Sequence, residues 1–190
     1  MVPPMSARLA ILLSGTGSTY VNLVAAIRAG PLPAEVVVVI GSQATAVGLE
    51  RAREFGHVTV VAAQSEAVTA ALIAQRVEWV AMCGWMKFYD PPAAFRGRVV
   101  NIHPSLLPDF GGKGMYGIHV HRAVIAAGVR ASGCTAHLVA GAYDSGPHLA
   151  QSRVAVEPGD TPELLQTRVQ AAERELYPRV LADLIAGRLP

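Results

Sequence analysis

Asn101 and His103 lie two residues apart at the end of a β-branched run, Val99-Val100, and Pro104 follows at once. On an extended backbone, side chains two apart point to the same side of a sheet, so a carboxamide and an imidazole stand next to one another. The first donates hydrogen bonds; the second gains or loses a proton near neutral pH. Pro104 has no N–H, fixes its own φ and biases His103 away from helix. The strand must therefore end here, with the pair projecting from its carboxyl end. In open α/β sheets, ligands bind at that edge. The alternative, a satisfied polar pair at a strand end, fits less well with the glycine-rich stretch that follows.

A second candidate is Ser14-Gly15-Thr16-Gly17-Ser18-Thr19. A G-x-G between strand and helix aims free backbone N–H groups and a helix dipole at an anion, and phosphate is the obvious guest. Tyr20 stands where the dinucleotide fingerprint needs a third glycine, and no Walker lysine is present, which excludes a nicotinamide or flavin pyrophosphate site. A structural turn and a phosphate site both remain open. Asp144, in Asp144-Ser145-Gly146-Pro147, reads locally as a turn residue. His119, His121 and His137, together with His103 and Asp144, raise a zinc site as a different class of function. No metal is expected, because His119 and His121 point to different faces of a helix and H-E-x-x-H is absent.

The elements that must position these residues follow from hydrophobic periodicity. Arg8 to Leu13 reads as a buried strand after a frayed start, Met1 to Ser6, and Tyr20 to Ala29 as a helix closed by Gly30-Pro31. Glu35 to Ile40 is a strand, Ala46 to Phe55 a helix, His57 to Ala62 a strand, Glu66 to Arg76 a helix and Trp79 to Cys83 a strand. Alternation of this kind predicts a parallel, doubly wound α/β sheet. Asp109 to Gly117 carries four glycines and reads as a loop able to close over a ligand. His119 to Ala127 is a helix, and Thr135 to Val139 and Ala150 to Val156 are antiparallel strands. Thr161 caps a last helix with Leu164, Leu165, Val169 and Ala172 on one face, which either continues to Ala186-Gly187 or breaks at Pro178.

The 190 residues suit one α/β domain, and 52% hydrophobic with 16% charged residues places the chain among globular proteins. A net charge of +2 without Lys/Arg runs leaves no footprint for nucleic acid. The apolar runs are too short to span a membrane. Cys83 and Cys134 form no C-x-x-C pair and read as reduced core residues, so a cytoplasmic protein is expected.

Asn101 to Pro108, Gly117-Ile118-His119-Val120-His121-Arg122, Gly133-Cys134-Thr135-Ala136-His137 and Asp144-Ser145-Gly146-Pro147 together resemble the phosphoribosylglycinamide formyltransferases of purine biosynthesis. With Ser14 to Ser18 and Arg168-Val169-Gln170-Ala171-Ala172-Glu173, the resemblance covers nearly the whole chain. It implies a Rossmann-like formyltransferase domain over 1–190, mostly parallel with an antiparallel C-terminal part. Residues 1–100 would form the phosphate-binding half and 101–190 the catalytic and folate-binding half. It further implies transfer of a formyl group from 10-formyltetrahydrofolate to the amine of glycinamide ribonucleotide, in a monomer or homodimer. By the same resemblance Asn101, His103 and Asp144 are catalytic. Gly15, Thr16, Gly17, Ser18, Thr19, Met86 and Glu173 would bind the ribonucleotide. Lys87, Phe88 and Tyr89, with Asn101 and Asp144, would bind the folate, and Thr135, His137 and His119 would support the centre. Two departures stand out: Thr16 and Thr19 replace residues that are often asparagine, and Ala62 to Arg76 is shorter than its counterparts.

The chemistry is consistent with those residue types. An amine attacking a formyl carbon generates an oxyanion, for which Asn101 and a protonated His103 are donors. A carboxylate at Asp144 is expected to raise the His103 pKa and relay a proton. Related enzymes that act on other amines or on water share this set, so the acceptor rests on Gly15 to Ser18 and Glu173. The extra domains of the transfer-RNA formyltransferase and of the deformylase are not expected at this length. A folate- or nucleotide-binding module without catalysis is the alternative from another class.

Overall fold

The computed structural model describes residues 6–189; of the frayed start expected at Met1 to Ser6, all but Ser6 lies outside the described residues. The elements are β1 (Ala7–Leu13), α1 (Ser18–Ala29), β2 (Ala34–Gly41), α2 (Val47–Glu54), β3 (Thr59–Val61), α3 (Ser65–Ala74), β4 (Trp79–Met82), β5 (Val99–His103), α4 (Ile118–Ala126), β6 (Ala131–Leu138), β7 (His148–Ala155) and α5 (Pro162–Ile185). They form a seven-stranded sheet in the order β3-β2-β1-β4-β5-β6-β7. Strands β3 to β5 pair in parallel, and β6 and β7 are antiparallel. The expected α/β sheet with an antiparallel C-terminal part is thus observed. Three strands differ most in extent, β7 beginning at His148 rather than Ala150. The expected strand His57 to Ala62 is confined to Thr59–Val61, and Thr135 to Val139 begins earlier, at Ala131.

Alternation along β1 divides the core. Leu9, Ile11 and Leu13 face the layer that holds α1, α2, α4 and α5, whereas Ala10 and Leu12 face α3, Tyr89 and Phe95. Both faces are buried, as continuous apolar runs in parallel strands require. No helix among the described residues is long and apolar enough to cross a membrane.

Helix α5 runs through Pro178 without breaking. Proline removes the bond that residue 178 would donate to the Arg174 carbonyl. Asn22 Nδ2 of α1 donates to that carbonyl at 3.0 Å, so the freed acceptor is satisfied from a neighbouring helix. One turn inward, the buried Tyr177 hydroxyl lies 3.1 Å from the Met82 carbonyl and 2.8 Å from that of Val100, tying α5 to the ends of β4 and β5. The expected apolar face is corrected at Leu164, which is 56% exposed; Leu165 and Val169 are fully buried and carry the contact.

The helix interior explains a coupling that can be measured. Asn22→Ala is expected to lower stability by about 1 kcal/mol in urea unfolding, and by less in a Pro178→Ala background, where the Arg174 carbonyl regains a helical N–H. Equal costs in the two backgrounds would exclude the Asn22 bond as the compensation for Pro178.

Candidate active site

The carboxyl ends of β1, β4 and β5 open into a cavity of about 590 Å³, lined by Gly15 to Thr19, Gly84 to Tyr89, Asn101, His103, Gly112 to Gly117, Tyr143, Asp144 and Glu173 among others. This is the edge at which Pro104 was expected to release the chain. Gly17 caps α1 in a left-handed conformation, φ 74°, with no side-chain capping bond, so the N–H groups of the first turn are left for another partner. A close approach enforces glycine there: a Cβ on Gly17 would lie 2.9 Å from the Gly48 Cα, and the Gly48 N–H donates to the Gly15 carbonyl at 3.0 Å.

The β5–β6 register places His137 opposite Asn101 and Thr135 opposite His103. Asn101 Nδ2 donates toward His137 Nε2 at 3.2 Å and Asp144 Oδ1 at 3.5 Å. The longer contact is at the limit of hydrogen bonding, leaving one amide hydrogen available to a better acceptor. His137 Nδ1 donates to the Leu138 carbonyl at 2.9 Å, which orients its ring. Asp144 sits in the β6–β7 turn at φ 53° and reaches both imidazoles: Oδ2 is 3.4 Å from His103 Nδ1 and Oδ1 is 3.5 Å from His137 Nε2. Thr135 does not touch the cavity. Its Oγ1 donates to the Ser105 carbonyl at 2.7 Å and accepts the Leu107 N–H at 3.0 Å, so it braces the chain that leaves His103.

The glycine-rich segment is tied to the same groups. His103 Nε2 donates to the Phe110 carbonyl at 2.9 Å, and the Gly112 N–H donates to Asp144 Oδ2 at 2.9 Å. Next to Asp144, Tyr143 meets Phe88 edge to face with ring centroids 5.4 Å apart. The Met86 N–H donates to Ser14 Oγ at 2.9 Å, and Tyr89 is buried with its hydroxyl 3.1 Å from Thr69 Oγ1.

A model of the formyl transferase family matches residues 7–181. The phosphoribosylglycinamide formyltransferase of Escherichia coli K12 is 33% identical over 94% of this chain and 87% of its own length. The chain belongs to the formyl transferase family. The trifunctional purine biosynthetic protein adenosine-3 of Drosophila pseudoobscura is 38% identical over 96% of this chain, which spans only 14% of that relative's length. In three dimensions, glycinamide ribonucleotide transformylase 1 from Symbiobacterium toebii matches with a TM-score of 0.89 at 35% identity, covering 97% of this chain and 90% of that one.

Within the cavity, two carboxyls are shifted in opposite directions. Burial works to raise the Asp144 pKa, but contact with His137, the His103 imidazole and the Gly112 N–H outweigh it and hold the group below its ordinary value. Glu173 is pushed up to about 7 from 4.5 by burial, with Arg174 opposing. The expectation for His103 is corrected. Burial lowers its pKa, and the pull from Asp144 and the Phe110 carbonyl does not overcome that cost. The His103–Asp144 contact of 3.4 Å is also longer than the 2.7–2.9 Å of a tight charge-assisted bond.

His119, expected to support the centre, reaches the cavity only through the lining residue Tyr116. It is exposed, packs edge-on against Tyr116 at 5.4 Å and does not line the cavity; the residue that does is His121. Val120, His121 and Val124 form the buried stripe of α4, so the apolar spacing around the two histidines marks which one turns inward. Gln166 and Gln170 also line the cavity. With Glu173 they recur at helical spacing along α5, a polar stripe readable from the sequence. Among the described residues, no group of three or more His, Cys, Asp or Glu is placed to hold a metal ion.

The raised pKa of Glu173 has a signed consequence for stability. Between about pH 4.5 and 7 the folded chain keeps a proton that the unfolded chain has released, so stability falls as pH rises through that window and the loss persists above it. Glu173→Gln is expected to flatten this slope and to exceed the wild type in stability above pH 7, read from urea midpoints between pH 5 and 8. An unaltered slope would mean that Glu173 titrates normally.

Proposed function

We propose that this chain transfers the formyl group of 10-formyltetrahydrofolate to the amine of glycinamide ribonucleotide, with Asn101, His103 and Asp144 as its catalytic groups. The observation that carries this reading is their convergence in the cavity whose other walls are the Gly15 to Thr19 loop and Glu173. The names borne by the relatives, phosphoribosylglycinamide formyltransferase and glycinamide ribonucleotide transformylase, support the same substrates.

The reaction needs a home for one oxyanion and a path for one proton. The amine attacks the formyl carbon, the carbonyl oxygen takes up charge, and the bond from that carbon to N10 then breaks. The new ammonium loses a proton while N10 gains one. The free amide hydrogen of Asn101 and the Nε2–H of His103 are the donors for the oxygen. Asp144, held ionised beside His103 Nδ1, takes the proton of the new ammonium, directly or through a water, and returns it to N10 as the carbon–nitrogen bond breaks. No nucleophilic side chain is required.

The ribonucleotide phosphate is assigned to the free N–H groups of α1 with the hydroxyls of Thr16, Ser18 and Thr19, and the ribose hydroxyls to Glu173. A protonated Glu173 donates as well as accepts and does not repel a phosphate. The folate is assigned to Lys87, Phe88 and Tyr89, with Tyr143 packed edge to face against Phe88. The buried free thiols of Cys83 and Cys134 favour a reducing compartment, the cytoplasm in this reading.

Mixing the protein with 10-formyltetrahydrofolate and glycinamide ribonucleotide is expected to change the folate absorbance only when both are present. A flat trace, or one that is equal without the amine, would refute the assignment. Asn101→Ala is expected to cut kcat about a hundredfold or more with folate affinity little changed, as for a lost oxyanion donor. Parallel losses in affinity and turnover would move Asn101 to ground-state binding.

A further inference from the structure

His121 lies on the second turn of α4, directly after the glycine-rich segment, and is 1% exposed. Its ring lines the cavity, yet its Nδ1 is buried without a hydrogen-bond partner among the described residues. A buried ring nitrogen with no acceptor in reach is better left bare than protonated, because an unpaired N–H costs more there than an unpaired lone pair on a neutral ring. The proton therefore resides on Nε2, the nitrogen left to the cavity side. Burial and the nearby His103 also push the His121 pKa down to about 4, so the ring is neutral at working pH. His121 thus presents an uncharged N–H donor with no partner of its own.

Its place in the fold limits what that donor meets. Helix α4 packs on α5, the helix that carries Gln166, Gln170 and Glu173 along the cavity. His121 lines the same cavity as Gln166, Gln170 and Glu173 and is close enough to His103 for the two imidazoles to interact. In a glycinamide ribonucleotide, the link between the reacting amine and the ribose is a methylene and an amide. The amide carbonyl is the one hydrogen-bond acceptor in that link.

We propose that His121 is a substrate-positioning residue whose Nε2–H holds the glycinamide carbonyl and so aims the amine at the formyl carbon. This rests on the ribonucleotide reading given above. A fixed carbonyl two bonds from the nucleophile removes rotational freedom where it matters for attack. It also selects acceptors that carry an amide beside the amine, since an acceptor without the carbonyl leaves a buried donor unpaired.

The test compares wild type with His121→Gln, whose Nε2 reproduces the donor, and His121→Phe, which keeps the ring shape and removes it. Steady-state kinetics are run with glycinamide ribonucleotide and with its analogue in which the amide carbonyl is a methylene. His121→Phe is expected to raise KM for the ribonucleotide about tenfold and leave KM for formyltetrahydrofolate unchanged, with His121→Gln recovering most of the loss. The methylene analogue should lose about the same factor in wild type and nothing further in His121→Phe, the non-additivity of a direct contact. Equal penalties for the analogue in wild type and His121→Phe, or a loss confined to the folate, would overturn the proposal. If His121→Phe does not fold, wild type and His121→Gln with the two acceptors decide it: no penalty for the analogue in wild type overturns it. Calorimetric binding of the ribonucleotide to the same proteins separates the two readings, because absent turnover with intact, His121-dependent binding would refute only the reaction.

Discussion

The pairing of β5 with β6 is the constraint on which the site depends. Strand β5 is parallel to β4 on one side and antiparallel to β6 on the other, so its exit is held by two ladders of different kind. The register sets Asn101 opposite His137 and His103 opposite Thr135. A slip of one residue would turn Asn101 and His103 toward the opposite face of the sheet. Thr135 then fixes the chain beyond His103, and the hairpin from β6 to β7 returns Asp144 to the same point. Antiparallel pairing at this edge is what lets a carboxylate far along the chain face an imidazole on a strand of the parallel half.

The opposite pKa shifts of two carboxyls in one cavity follow from their surroundings. Asp144 has partners on both oxygens, including a backbone N–H, and stays charged despite burial. Glu173 has no such partners among the described residues. It lies close enough to the buried thiols Cys83 and Cys134 to raise their pKa values further, and burial keeps its own proton on. Environments that drive two acids apart in this way allow one to hold charge beside a reacting centre while the other acts as a neutral hydrogen-bonding group.

Much of this was legible in the sequence, and the residues show why. Asn101 and His103 were readable because strand periodicity and Pro104 fix both their shared side and their exit. The loop after β1 was readable from glycine spacing, although only the approach of Gly48 explains why Gly17 must lack a side chain. Asp144 was not distinguishable locally from a turn residue, because its role comes from the β6–β7 hairpin; the family resemblance supplied it. Proline spacing alone could not decide whether α5 breaks, since the answer lies in Asn22, on a helix that is distant in sequence but packed against α5. The histidines of α4 were separable in principle by their apolar neighbours, yet motif matching favoured His119 over His121. The direction of the His103 shift required its burial, which no sequence spacing encodes.

The bond between His103 Nε2 and the Phe110 carbonyl sets an incoming oxygen and the glycine-rich segment in competition for one donor. With Nδ1 turned to Asp144, Nε2 is the only ring nitrogen that can serve an incoming oxygen, and it already serves one. A second oxygen must trade places with the first, one N–H···O contact for another, so the exchange is close to balanced in hydrogen-bond energy. Phe110 also sits at φ 55°, a left-handed conformation that costs a non-glycine residue about 1–2 kcal/mol. The chain therefore carries its own counter-ligand: a backbone carbonyl that keeps the imidazole oriented and its proton placed until an oxygen from outside replaces it.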